Sequence, residues 1–377
     1  MHLNCLQENL SHGLGVVQRA VATRTTLPIT QHVLLATDEG RLKFSATNLE
    51  VAISTWVGAE ILEEGSITIP ARLLTDFVNS LERQPIEIKT MSPAKGIELK
   101  GEHVQATMNG ADASEFPPIP SISEGISTKV GPKQLRDAIH QVVMAAAVED
   151  SRPVLTGVNV EFEGTKLTLA AADGFRLAVH TTDLQEPVAE KLSLIVPART
   201  LQEVERLIEG DDPIEIVVTP QRSQVLLRLK NVEIVSQLIQ GTFPNYSQLI
   251  PEQHTTRAVV NLGELQRATR TASIFAKDGS GIVRIETTPA GSGGGTGKLT
   301  VSSRAEELGD NTGEIEAEVE GAEGKIAFNS RYLSDVLGVL GVEKVALEMT
   351  TSSSPGVIRP VSDDKYVHVV MPMFVQW

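Results

Sequence analysis

Cysteine is almost absent: Cys5 is the only one in 377 residues. A single thiol can build neither an internal disulfide framework nor a thiolate metal site, and it fits a reducing compartment. Long apolar runs are missing as well. No stretch approaches the roughly 18 residues that a membrane-spanning helix needs. Residues 1–5 hold neither a basic region nor an apolar run, so no signal peptide is expected. The expected location is cytoplasmic, with no membrane partner. Basic residues are in deficit, 33 Lys and Arg against 48 Asp and Glu, for a net charge of −15. Taken alone, that balance argues against nucleic acid, because phosphate contacts call for Lys and Arg. Chemistry-bearing groupings are lacking too. The eight histidines never fall at ligand spacing, and no acid, base, nucleophile and metal set converges. Neither catalysis nor a metal or cofactor is expected.

What is present is enough apolar residue to build cores (41% hydrophobic, 21% charged), over a length that suits two or three domains. It is also organised as a repeat. Ile69-Pro70-Ala71-Arg72-Leu73-Leu74 recurs as Val196-Pro197-Ala198-Arg199-Thr200-Leu201, and more loosely as Phe328-Asn329-Ser330-Arg331-Tyr332-Leu333. The three arginines stand 127 and 132 residues apart. Phe116-Pro117, Phe243-Pro244 and Met371-Pro372 keep nearly the same period, as do Leu42-Lys43-Phe44, Leu167-Thr168-Leu169 and Leu299-Thr300-Val301. A domain-sized period predicts three similar domains, 1–127, 128–254 and 255–377.

Each copy opens on a helical pattern: Leu10, Leu14, Val17 and Val21; Leu135, Ile139, Val142, Val143 and Ala146; Leu265, Thr269, Ala272 and Phe275. The repeated arginine segment starts a second helix, running through Phe77 and Leu81, Val204 and Leu207, and Val336 and Leu340. The remainder alternates as strands do, for example Ile86-Glu87-Ile88-Lys89. The fold class is therefore α+β three times over, two helices on antiparallel sheet in each domain.

Two decoys can be set aside. The glycine-rich segment 291–298 has Ser292 where a phosphate-binding loop needs glycine and Leu299 where it needs Ser or Thr, so a hairpin tip is expected. Asp173 and His180 resemble an acid–base pair, but an odd separation on a strand sends them to opposite faces. Charge is unevenly placed. Six helix-containing segments together carry +3, leaving −18 on the strands and loops. Helices gathered on one surface could face phosphates there; helix faces are also often mildly basic with no such role.

Longer stretches resemble the bacterial DNA polymerase III beta subunit family, the beta sliding clamps, over essentially the whole chain. They are Arg24-Thr25-Thr26-Leu27-Pro28-Ile29, Ala172-Asp173-Gly174-Phe175-Arg176-Leu177-Ala178, Gly241-Thr242-Phe243-Pro244-Asn245-Tyr246 and the strand from Tyr366 to Met373. The resemblance implies a DNA-clamp fold, two chains closed head to tail into a ring around double-stranded DNA, and no intrinsic catalysis. It implies DNA contacts at Arg24, Arg72, Arg152 and Arg199. It also implies an apolar partner site at Leu155, Gly174, Phe175, Arg176, Leu177, Pro244, Leu249, Val369, Met371, Pro372 and Met373. That site would take short hydrophobic peptide motifs of the replicative polymerase catalytic subunit, the clamp loader, and other polymerases and repair proteins. A homodimer interface is expected to involve Lys95, Lys100, Ile274, Phe275, Glu306 and Glu307; the acidic run from Glu306 to Glu323 reads equally as a solvated face. Departures from the family pattern are Phe175 for a histidine, Pro153-Val154 for a tyrosine pair, and the ending Phe374-Val375-Gln376-Trp377.

Overall fold

Apolar spacing becomes six α-helices in the computed structural model, which describes all residues except 92–94, 123, 150, 278 and 292–294. They are α1 (Gln7–Val17), α2 (Ala71–Asn79), α3 (Pro132–Val142), α4 (Ala198–Leu207), α5 (Leu262–Lys277) and α6 (Ser330–Val339). On α1 the residues Leu10, Gly13, Leu14 and Val17 face inward, an i, i+3, i+4, i+7 stripe. Gly13 admits the Phe44 ring so closely that a Cβ would lie 2.6 Å from it. α2 follows Pro70 and α6 follows Asn329. The departure from the Pro-Ala-Arg pattern in the third copy supplies a cap: the Asn329 side chain accepts from the N–H groups of Arg331 and Tyr332 at 2.9 and 3.4 Å.

Some expected helical positions need correction. α2 turns in Leu74, Thr75 and Val78, leaving Phe77 and Leu81 half-buried. Val21 lies beyond the end of α1, after a short 3₁₀ turn. On α5 the inward position falls to Ala276, so Phe275 is half-buried and Ile274 is 63% exposed. At Phe77 and Phe275 an apolar side chain one step from the stripe reads as part of it, because adjacent helical positions are separated by only about 100°; Val21 and Leu81 lie past the ends of their helices.

The chain packs as two units, Met1–Lys133 with Leu184–Val188 and Arg199–Leu238, and Gln134–Asp183 with Ala189–Ala198 and Ile239–Trp377. The first contains a five-stranded and an eight-stranded antiparallel sheet, the second a twelve-stranded one. These divisions differ from the sequence copies because each large sheet is sewn from two copies. In the first unit, Val51–Val57 pairs with Val232–Gln237, with Ile53 opposite Ile234. In the second, Arg176–Asp183 pairs with Tyr366–Val370, with Ala178 opposite His368. The turns before these strands are built alike. Asn48 Oδ1 accepts from the N–H groups of Glu50 and Val51, as Asp173 Oδ1 does from Phe175 and Arg176. Gln237 N–H donates to Glu50 O at 2.8 Å, and Met371 N–H to Phe175 O at 2.8 Å.

The glycine-rich segment joins the antiparallel strands Ile282–Thr288 and Gly297–Ala305, while its residues 292–294 lie outside the described residues. No helix among the described residues is long and apolar enough to cross a membrane.

Candidate partner site and nucleic-acid surface

The 172–176 turn organises the candidate partner site. Asp173 Oδ1 accepts from Phe175 N–H at 2.9 Å and Arg176 N–H at 3.0 Å, and its Oδ2 accepts from Arg176 Nε at 3.0 Å. An Asp-Gly dipeptide is suited to this, since the side chain closes the turn while glycine supplies a positive φ; Gly174 sits at φ +94°. The glycine has a second reason. A Cβ there would meet the Arg152 guanidinium at 3.1–3.2 Å, and that guanidinium donates to Asp173 O at 3.1 Å. Arg152 therefore lies across the turn, on the same rim as the apolar residues.

Arg176 leads inward from the turn. Its side chain is only 7% exposed, and Nη1 donates to Asp335 Oδ2 of α6 at 2.6 Å. The guanidinium stands 4.5 Å over the Tyr332 ring, whose outer side stacks with Phe175 at 6.4 Å and 24°. Burial, helped by the Asp173 charge, pushes the Tyr332 phenol up. The result is a rigid wall of Phe175 on Tyr332 on Arg176, with the cation compensated by two carboxylates.

Strand alternation divides the other expected residues. Leu177 and Val369 point to the opposite face, into a core with Val179, Val357 and Val367 that Tyr246 and Ile250 cover. Leu155 is buried as well. Phe175, Leu249, Met371 and Met373 remain 59, 53, 44 and 37% exposed. Pro244 is exposed and Pro372 buried. Asp173, Tyr332 and Asp335 were not expected in this role. The Asp-Gly turn signal was available in the sequence for the first; the other two come from a helix far along the chain. Asp173 lies in the turn before the strand Arg176–Asp183 that carries His180, so strand alternation does not relate the two; His180 bonds Gln141 at 2.7 Å.

Arg24 and Arg199 are exposed and make no ion pair among the described residues. Arg72 has a 93% exposed side chain and only a loose 3.7 Å contact to Asp76. Arg72 and Arg199 fall in the first turn of their helices, as Arg331 does in α6, with no acidic residue beside them there. A cation is disfavoured at that end by the helix dipole, so the repeated arginine does not serve helix stability. At the candidate interface, Lys95 is engaged within its own unit, 2.8 Å from Glu115. Lys100, Glu306 and Glu307 are exposed. Part of the acidic run is also matched internally, Glu314 by Lys298 and Glu318 by Lys344. Among the strand edges open in the described residues, Gln105–Asn109 ends the five-stranded sheet, and the 309–317 part of Gly309–Gly321 is paired on one side only. No group of three or more His, Cys, Asp or Glu able to hold a metal occurs among the described residues.

The whole architecture matches solved structures. A DNA polymerase sliding clamp from Bacillus subtilis superposes with TM-score 0.93 at 27% identity, covering 100% of both chains. The DNA polymerase III subunit beta from Pseudomonas aeruginosa does so with TM-score 0.90 at 28% identity, again over 100% of both. Three similar α+β units stitched through shared antiparallel sheets place the protein in the class of DNA clamps. Family models for the N-terminal, central and C-terminal domains of the DNA polymerase III beta subunit match residues 1–120, 129–245 and 247–374. The beta sliding clamp of Bacillus subtilis strain 168 is 29% identical over 384 residues, and that of Synechococcus elongatus 29% over 379, each alignment covering 99% of both chains. The chain belongs to the DNA polymerase III beta subunit family, the beta sliding clamps.

Proposed function

We propose that two copies close head to tail around duplex DNA and tether the replicative polymerase to it, with no reaction of their own. What supports this reading above all is the family match along the whole chain, carried by three copies that share sheets. The open edges at Gln105–Asn109 and 309–317 are the pairing surfaces a dimer would use, with Ile274 and Phe275 of α5 packed beside them and Lys100 facing Glu306 and Glu307. Arg24, Arg72, Arg152 and Arg199 contact phosphates without reading bases. A net charge of −15 keeps such contacts weak, so retention comes from closure and not affinity.

The domains run 1–127, 128–254 and 255–377. The wall of Phe175, Tyr332 and Arg176, with Gly174, Pro244, Leu249, Met371 and Met373, receives short hydrophobic motifs of the polymerase catalytic subunit, the clamp loader and repair proteins, while Leu155, Leu177, Val369 and Pro372 belong to the core behind it. Methionine makes such a surface adaptable enough to be shared. The test loads the protein onto nicked circular DNA with its clamp loader and then linearises the circle. Loss on cutting is expected; equal retention on circle and line would overturn the ring.

A further inference from the structure

In the third copy α5 buries Leu262, Leu265, Thr269, Ala272 and Ala276, which turns Arg267 and Arg270 outward. Arg267, Arg270 and Arg331 of α6 are exposed and make no ion pair among the described residues. The two helices lie side by side. Gln266 Nε2 donates to Leu337 O at 2.6 Å, and Ser330 N–H, at the head of α6, donates to Gly281 O, just beyond α5, at 2.8 Å. Gln266 thus marks the side of α5 that meets α6, and Arg270 is one turn further along it. The pair holds only two carboxylates. Glu264 is half-buried in the first turn of α5, and Asp335 is taken by Arg176 at 2.6 Å.

Helix stability accounts for none of these arginines. Arg267 and Arg270 are three residues apart, a spacing at which like charges destabilise a helix. Arg331 stands in a first turn, where the dipole opposes a cation. Lys277 differs, because it sits in the last turn of α5, where the dipole favours it. The other helix pairs are closer to balance. Among Lys, Arg, Asp and Glu, α1 and α2 carry one cation against two carboxylates, and α3 and α4 four against three. α5 and α6 carry four against two.

We infer that Arg267, Arg270 and Arg331 form a phosphate-binding face, through which the third copy supplies the larger part of the salt-dependent hold on duplex DNA. The inference rests on the clamp reading above, whose phosphate contacts all fall in the first two copies. There Arg72 shares its helix with Asp76, and Arg199 with Glu203 and Glu205. A carboxylate near a phosphate repels it and offsets the neighbouring cation. On α5 and α6 that offset is smallest, so the attraction an acidic chain can muster is concentrated there. Guanidinium groups on helix faces reach backbone phosphate and leave base edges unread.

The experiment is fluorescence anisotropy of a labelled linear duplex with the full chain, between about 50 and 200 mM salt. Two triple variants are compared with the wild type: Arg267→Ser, Arg270→Ser, Arg331→Ser, and Arg24→Ser, Arg72→Ser, Arg199→Ser. The first is expected to flatten the log–log salt slope by about 3, one per lost contact, and the second by about 1. An unchanged slope in the first variant would overturn the inference, and so would equal flattening in both. Light scattering on the first variant supplies a further check. Loss of a dimer that the wild type forms would assign these arginines to the contact between copies and also overturn it. A wild-type protein that does not bind the duplex at the lowest salt would instead bring down the clamp reading itself.

Discussion

Arg176 shows how a single side chain ties the site to the fold. A guanidinium with 7% exposure is tolerated only when its charge is balanced and its donors are used, and removing one partner of such a pair costs more than the pair contributes. Asp335 is 31% exposed, so water softens the loss. Asp335→Ala is expected to destabilise the protein by about 2 kcal/mol in urea denaturation. It should also weaken hydrophobic-peptide binding, because the Tyr332 and Phe175 rings lose the cation that fixes them. Unchanged stability and affinity would mean that Asp173 suffices as counter-ion. The sequence announced only half of this arrangement. An Asp-Gly turn implies a carboxylate folded onto its own backbone, but nothing local to Asp173 indicates that a helix some 160 positions later brings a second carboxylate.

Among the elements, the strand Tyr366–Val370 is buried throughout yet carries a polar pair. The Tyr366 hydroxyl lies 3.0 Å from His368 Nδ1, and His368 Nε2 has no partner among the described residues. Burial, with the Arg176 charge nearby, pushes the imidazole down to about 3 from 6.5, and burial lowers His180 in the same direction. Below pH 6.5 the unfolded chain takes up protons that the folded chain refuses, so the stability these histidines confer is complete above that pH and is lost as the pH falls. Well below pH 6.5 the depressed His368 contributes about 1.4 kcal/mol of loss per pH unit. His368→Leu should therefore show a shallower fall in Tm between pH 7 and 5 than the wild type in scanning calorimetry; equal slopes would place the proton elsewhere. That the strand is buried on both faces was not legible, since the sequence reading put Arg176, Leu177 and Val369 in one site although alternation separates the first from the other two. Helix faces were no more legible: Phe77 and Phe275 are apolar but sit one step off the stripe, and the packing partner decides between neighbours that the pattern leaves equivalent.

For the whole molecule, the three-copy plan was legible because the same landmarks return at a domain-sized spacing. The packing units were not, because they depend on which strands pair across copies. The charge pattern also takes meaning only at this scale, since the acidic residues crowd the strands while the helix starts keep their arginines. If the open edges join two copies, Ile274 lies where a charge cannot be tolerated. Ile274→Glu is expected to halve the mass seen by light scattering at micromolar concentration, from dimer to monomer, with the circular dichroism spectrum unchanged; a persistent dimer would move the interface elsewhere.

The sewing of copies into common sheets also bears on how the chain folds as it is made. In the first unit, Val51–Val57 waits for Val232–Gln237, and its sheet closes once the central copy has been synthesised. In the second, Arg176–Asp183 waits for Tyr366–Val370, which is synthesised a full copy and more later. Through that interval an apolar strand edge has no partner, the state in which chains aggregate most readily. The price of a seam without free edges in the finished protein is a nascent chain that needs protection longest around its middle.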